Sequence, residues 1–307
     1  MSLELRWLAS HSASCFHAAW AFSRGPLADA QIEAAIREPA ESLRQEIAAA
    51  GICEEGFWRH IIPLSAGIEN NRQLADLVVR KTIGHGKASE ATTLRLAGWI
   101  AEVEAAVRRA VPDLVDRVAQ GGEWIKEQWS SLGPATLSAI ARRTDANIVV
   151  PAADVILVWP ACGGDGAAHL VYNNVRLEAV AADPVAELPE VLRLAWLIAQ
   201  LNLEVPIFSE GIPPRNLPLV AACAMVPPVL AAASELDLVY SPDSVLPITL
   251  ERWRVAGTSG SDLAPVISDW WQTYLDAQPP WHIALAALDR MLSSAALEEE
   301  PEPSAVV

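Results

Sequence analysis

Apolar residues at helical spacing run through most of this chain, and the pattern breaks once, between about residues 147 and 180. The run from Asn147 to Pro160 is rich in β-branched and aromatic residues and too short for a long helix. Cys162-Gly-Gly-Asp-Gly166 punctuates it, and the stretch from His169 to Val180 then alternates. Val171, Val175, Leu177 and Ala179 fall on one side of that alternation, and Tyr172, Asn174, Arg176 and Glu178 on the other. Two extended segments around a glycine turn predict a β-hairpin over about 154–179. The fold class follows: mainly α, a helical globular protein with one hairpin packed on its helices.

The helices are predicted from stripes and punctuation. Residues 26–50 carry Ile32, Ile36, Leu43 and Ile47 at helical spacing, end at Gly51, and contain Pro39, which splits the stretch in two. A helix is expected over 69–82. Another is expected over 89–110, capped by Ser89, with Leu94, Ala97, Ile100, Ala101 and Ala105 inward. Pro112 opens a helix that stops at Gly121-Gly122, and two short ones follow over 124–131 and 134–143. Val191 to Leu203 is apolar nearly all round, which implies a buried helix. Leu217 to Ala233 carries no charge but is interrupted by Pro227-Pro228, and reads as two short buried helices rather than a membrane span. Gly257 to Asp262 reads as a loop, and helices over 265 onward and 281–292 follow. The composition shift places a domain boundary near 146. That gives a helical region 1–146, a hairpin-plus-helix region 147–296 that can be fused to it, and an acidic disordered tail 297–307.

Composition narrows the function classes. Hydrophobic residues make up 52% of the 307 and charged residues 20%, enough apolar material for a full core. The net charge of −16 opposes nucleic acid or an anionic membrane as the main partner, and Arg142-Arg143 is the obvious basic doublet against it. Cys15, Cys53, Cys162 and Cys223 form no CxxC pair, and the N-terminus has no signal-peptide pattern, so free thiols in the cytoplasm are expected.

Local motifs are sparse. Gly164-Asp-Gly166 lacks the third glycine and following helix of a dinucleotide fingerprint, and Gly84-His-Gly-Lys87 lacks the leading strand of a phosphate loop. His11 and Cys15 would share a helix face while His17 points elsewhere, so no metal site and no cofactor are expected. Glu54, Glu55, His60, Glu69 and Arg72 form the densest polar patch of the first half, where Glu69 and Arg72 are spaced to pair. No nucleophile elbow or Cys/His dyad is visible by spacing.

Twelve Trp and no catalytic motif favour an interaction or regulatory protein with a protein partner or a second copy of itself. The alternative is an enzyme acting on a small polar or anionic substrate at the 165–178 hairpin. Its candidate site is His169, Tyr172, Asn174, Arg176 and Glu178, with Asp165 near the turn, Arg176 as anion clamp and Glu178 or His169 as acid–base.

Overall fold

In a computed structural model, residues 3–85, 87, 89–255 and 263–298 are described. The expected loop over 257–262 and the tail beyond Glu298 lie outside them. The chain divides into two compact units, a sheet unit of residues 5–127 and 153–182 and a helical unit of residues 1–4, 128–152 and 183–307.

The sheet unit is built from strand β1 (Glu4–Ala9) and helices α1 (His11–Phe22), α2 (Ala30–Ala49), α3 (Glu54–Ser65), α4 (Asn71–Ile83) and α5 (Glu90–Ala110). To these it adds the first part of α6 (Leu114–Arg143) and strands β2 (Ala152–Val158), β3 (Gly166–His169) and β4 (Asn174–Glu178). The division between the units falls inside α6. The strand order is β1-β2-β4-β3. The fold is mainly α, as the sequence implies, but the hairpin differs. The segments expected to pair antiparallel, β2 and β4, run parallel, with Asp154 opposite Asn174 and Val158 opposite Glu178. The antiparallel partner of β4 is the short β3, with His169 opposite Asn174. Asn173, in the left-handed region at φ 48°, makes the turn between them after a single 3-10 turn over 170–172. β1 also runs parallel to β2, since Glu4 N–H donates to Pro151 and Ser10 N–H to Leu157, six residues further along both strands.

A largely parallel sheet is covered on both faces, and here two glycines make that possible. Ile156, Arg176 and Glu178 share one face, and Leu157 and Leu177 the other. Gly121 and Gly122 do not end a helix as expected. They let α6 lie against the apolar face, because a Cβ on Gly121 would meet the Ala179 carbonyl at 2.6 Å and one on Gly122 the Leu157 side chain at 2.2 Å. The three helices read over 112–143 are therefore one. Likewise Pro39 does not split α2. Burial of Ile32, Ile36, Ala40, Leu43 and Ile47 along one stripe outweighs the hydrogen bond the proline removes. In α5, Ser89 caps as expected by accepting from Thr92 N–H, but the buried stripe is Leu96, Ile100, Val103 and Val107, and Leu94 is 48% exposed.

The helical unit holds α7 (Glu190–Gln200), α8 (Pro206–Ser209), α9 (Leu217–Glu235), α10 (Pro242–Arg252), α11 (Ala264–Ala277) and α12 (Trp281–Glu298). Every residue of α7 is buried, including the ion pair Arg193–Glu190 at 3.1 Å. The charge-free segment 217–233 is a single helix rather than two, continuing through Pro227-Pro228. By length and composition α9 could cross a membrane; 67% of that apolar window is buried by the rest of the protein. Trp196 donates to the Ala222 carbonyl at 2.8 Å and stacks near Trp253, with centroids 5.0 Å apart. Trp270, Tyr274 and Trp281 form a second aromatic group, in which Trp270 Nε1 donates to the Ala284 carbonyl. Arg142 and Arg143 both pair with Glu235, which offsets one of the doublet's two charges.

Candidate functional site

The polar face of β4 carries the site. Three parallel strands end together, and the segments leaving their carboxyl ends converge: α1 after β1, the turn 159–165 after β2, and β4 itself. In open α/β sheets this is where ligands bind. The alternation read in the sequence does place Asn174, Arg176 and Glu178 on one face, with His169 beside Asn174 in register. That face is not exposed to solvent. Asn174 is 7% exposed, Arg176 3% and Glu178 1%, because α1 brings His17, fully buried, down onto them.

The contacts form one connected network. Glu178 Oε1 accepts from His17 Nε2–H at 2.6 Å and from the Cys162 N–H at 2.7 Å, while Oε2 accepts from the Gly164 N–H at 2.6 Å. Arg176 donates through Nη1 to His17 Nδ1 and through Nη2 to Asp165 Oδ2, the latter at 2.8 Å. The guanidinium also lies 4.8 Å from the Trp20 ring centroid, on which His17 stacks. Asp165 thus faces the permanent cation of Arg176, while His17 stands between that cation and Glu178. Burial and the neighbouring Arg176 lower the His17 pKa, so the imidazole is neutral, with its proton on Nε2. Burial would push the Glu178 carboxyl up, but hydrogen bonds from His17 and the Gly164 N–H hold it below the usual carboxylate range.

Further along the face, His169 is buried and its pKa falls to about 3, through burial first and then Arg176, His60 and Arg59. Tyr172 is not on the strand but on the 3-10 turn. Its hydroxyl meets His60 Nδ1 at 2.7 Å, with Lys81 5.2 Å from its ring, and burial raises its pKa to about 12. Among the described residues, Arg176 Nε, Asn174 Oδ1 and His169 Nε2 are buried with no hydrogen-bond partner. The five residues singled out in the sequence therefore share one region. His17 and His60 join them from more than 100 residues away, where no spacing signal could have shown it, and Cys162 joins from 16 residues before Glu178.

His17, Cys162 and Asp165 offer donor atoms within 4.8 Å of one another, a set that can hold a metal ion. The Arg176 guanidinium already sits on the His17 and Asp165 donors and supplies the positive charge there. The other sequence candidates part company. His11 and Cys15 do share a face of α1, Sγ to Nδ1 3.5 Å, pointing away from the network. Arg72 pairs with Glu90 rather than Glu69, and Glu54 is held by Arg44 and Trp58. A surface cleft of about 770 Å³ lies beside Gly84 and His85, lined by Asn70, Arg72, Arg80 and Glu90. Helix α4 leads into it, as expected, and Gly86 lies outside the described residues. Its arginines are exposed and already matched, Arg72 with Glu90 and Arg80 with Asp76. No protein-family model, curated protein or solved structure matches this chain.

Proposed function

We propose that the chain is an enzyme whose sheet unit binds a small polar or anionic substrate along the β4 face, between Glu178 and Tyr172. One observation carries the reading: three unpartnered polar atoms, Arg176 Nε, Asn174 Oδ1 and His169 Nε2, are buried on a face that also holds a charge network. Leaving such an atom unsatisfied costs about 1–3 kcal/mol, so a face that keeps three of them has an occupant to gain. A donor from Arg176 and an acceptor from Asn174 suit a carboxylate- or phosphate-bearing molecule with a hydroxyl or amide. Arg176 serves as the anion clamp and His17, neutral and oriented by Glu178, as the proton acceptor. The net charge of −16 and the scattered free cysteines support a setting away from nucleic acid and anionic membranes, in the cytoplasm.

The test is a thermal-shift screen of small carboxylic and phosphorylated acids on the wild-type chain and on Asn174→Ala. An acid at 100 times its dissociation constant stabilises the fold by about 2.7 kcal/mol. The expected result is a Tm rise that Asn174→Ala loses. No rise with any acid, or the same rise in the variant, defeats the proposal.

An interaction or regulatory role is the second reading, favoured by Tyr240 at 99% exposure and Ile207 at 60%. The Trp content no longer feeds it: of the twelve, six are buried, six half-buried and none exposed. A concentration-dependent mass in solution that Tyr240→Ser abolishes would support this reading over the first.

A further inference from the structure

We infer that Cys162 is the nucleophile of this site and His17 its base, in acyl transfer from a small ester or thioester that bears a negative charge. The inference rests on the proposed substrate site and adds its chemistry. Cys162 stands on the turn just past β2, half-buried, and Gly163 beside it is exposed in the left-handed region at φ 74°. The residue is therefore partly open to solvent, while Ala161, Gly164 and Asp165 around it are buried. Its Sγ, a His17 ring nitrogen and an Asp165 oxygen lie within 4.8 Å of one another, close enough to work as a nucleophile–base pair. A single oxygen, Glu178 Oε1, holds both the Cys162 N–H and the His17 Nε2–H. That one carboxylate fixes the backbone of the nucleophile and the tautomer of the base together, leaving the lone pair on Nδ1. Glu178 is thus a positioning residue.

Arg176 donates to that Nδ1 in the unliganded protein. An incoming anion gives the guanidinium a better acceptor, and the transfer of its hydrogen bond frees Nδ1 to take the thiol proton. The steps balance. The thiol proton passes to His17, sulfur bonds to the acyl carbon, and the bond to the leaving oxygen or sulfur breaks as His17 returns the proton to it. Water then attacks the thioester on Cys162, the S–C bond breaks, the acid departs, and the thiol is restored. The other cysteines lack this setting. Cys15 and Cys223 are buried, with burial raising both thiols, and Cys53 is exposed at the start of α3, away from the network.

The probe is 4-nitrophenyl hydrogen succinate with the full chain, read by nitrophenol release and by peptide mapping of the acyl adduct, with iodoacetamide as a second label. A thiol activated by the His17 base is expected to label at least about tenfold faster than Cys53. Cys162→Ser, checked for an unchanged Tm, should lose both the adduct and the nitrophenol burst. Equal labelling of Cys162 and Cys53, or a burst that survives in Cys162→Ser, overturns the inference. So does one equivalent of zinc that raises Tm and shields Cys162, which would make the cluster a metal centre. If Cys162 is inert while small acids still raise Tm, only this inference fails; if the acids fail as well, the site reading falls with it.

Discussion

The polar face of β4 and the interior of α9 are equally hidden from water, yet they are made of opposite materials. Around α9, Val220, Met225, Val226, Val229 and Leu230 pack with no charge among them. On β4, an arginine, a glutamate and an asparagine occupy the same depth, with His17 and Asp165 pressed against them. Apolar packing needs only volume and shape, and tolerates exchange within those limits. A buried charge needs a matched partner for each lone pair and proton, and often contributes no more stability than an apolar replacement would. Stability explains α9. On β4 a charge network fills a place that apolar packing could fill with no loss of stability.

The comparison can be broken at its strongest point first. Arg176→Ala leaves Asp165 buried without its cation and His17 Nδ1 without its donor, and should cost about 3–5 kcal/mol in urea unfolding. A loss under 1 kcal/mol would mean that the network is solvated and the contrast false. Leu197→Ala, in the wholly buried α7 of the helical unit, should cost about 2–5 kcal/mol through the cavity left behind.

Acid sharpens the contrast further. The folded His169 takes its proton only near pH 3, whereas the unfolded chain takes it near 6.5. Between those values the unfolded state binds more protons, so stability should fall steadily as pH drops from about 6.5 towards 3. His169→Gln should flatten that slope while leaving the stability above pH 7 within about 1 kcal/mol. An unchanged slope in the variant would show that His169 is not buried as described. The smallest effect separates packing glycines from idle ones. Gly121→Ala, against the Ala179 carbonyl, should destabilise by about 1–3 kcal/mol. Gly98→Ala, with nothing within 4 Å, should stabilise α5 by about 0.5–1 kcal/mol.

What could be read beforehand follows the range of the forces involved. Ser89, Asp29 and Asn70 cap their helices through side chains that accept from N–H groups two or three residues on, and such contacts are written locally. The all-round burial of α7 is likewise legible from its lack of a polar stripe. The alternation over 174–178 gives the polar set its common face, since a strand's period is two. Whether that face meets solvent or another helix depends on α1, more than 150 residues away, and nothing nearby records it. Parallel pairing is hidden for the same reason. β2 and β4 are separated by a short turn and β3, and the apolar run 154–158 reads the same in either orientation. Gly121-Gly122 and Pro39 misled because local cost was weighed without the tertiary burial that overrides it.

β1 finds its hydrogen-bond partners at Pro151 and Leu157, and His17 finds Glu178. A ribosome adding about 5–20 residues per second needs roughly ten to thirty seconds to bridge that gap. For all of that time the leading strand has neither neighbour, and the imidazole on α1 has no counterpart. The sheet therefore closes only once β4 has been made, and the contacts between α1 and β4 form with the same event.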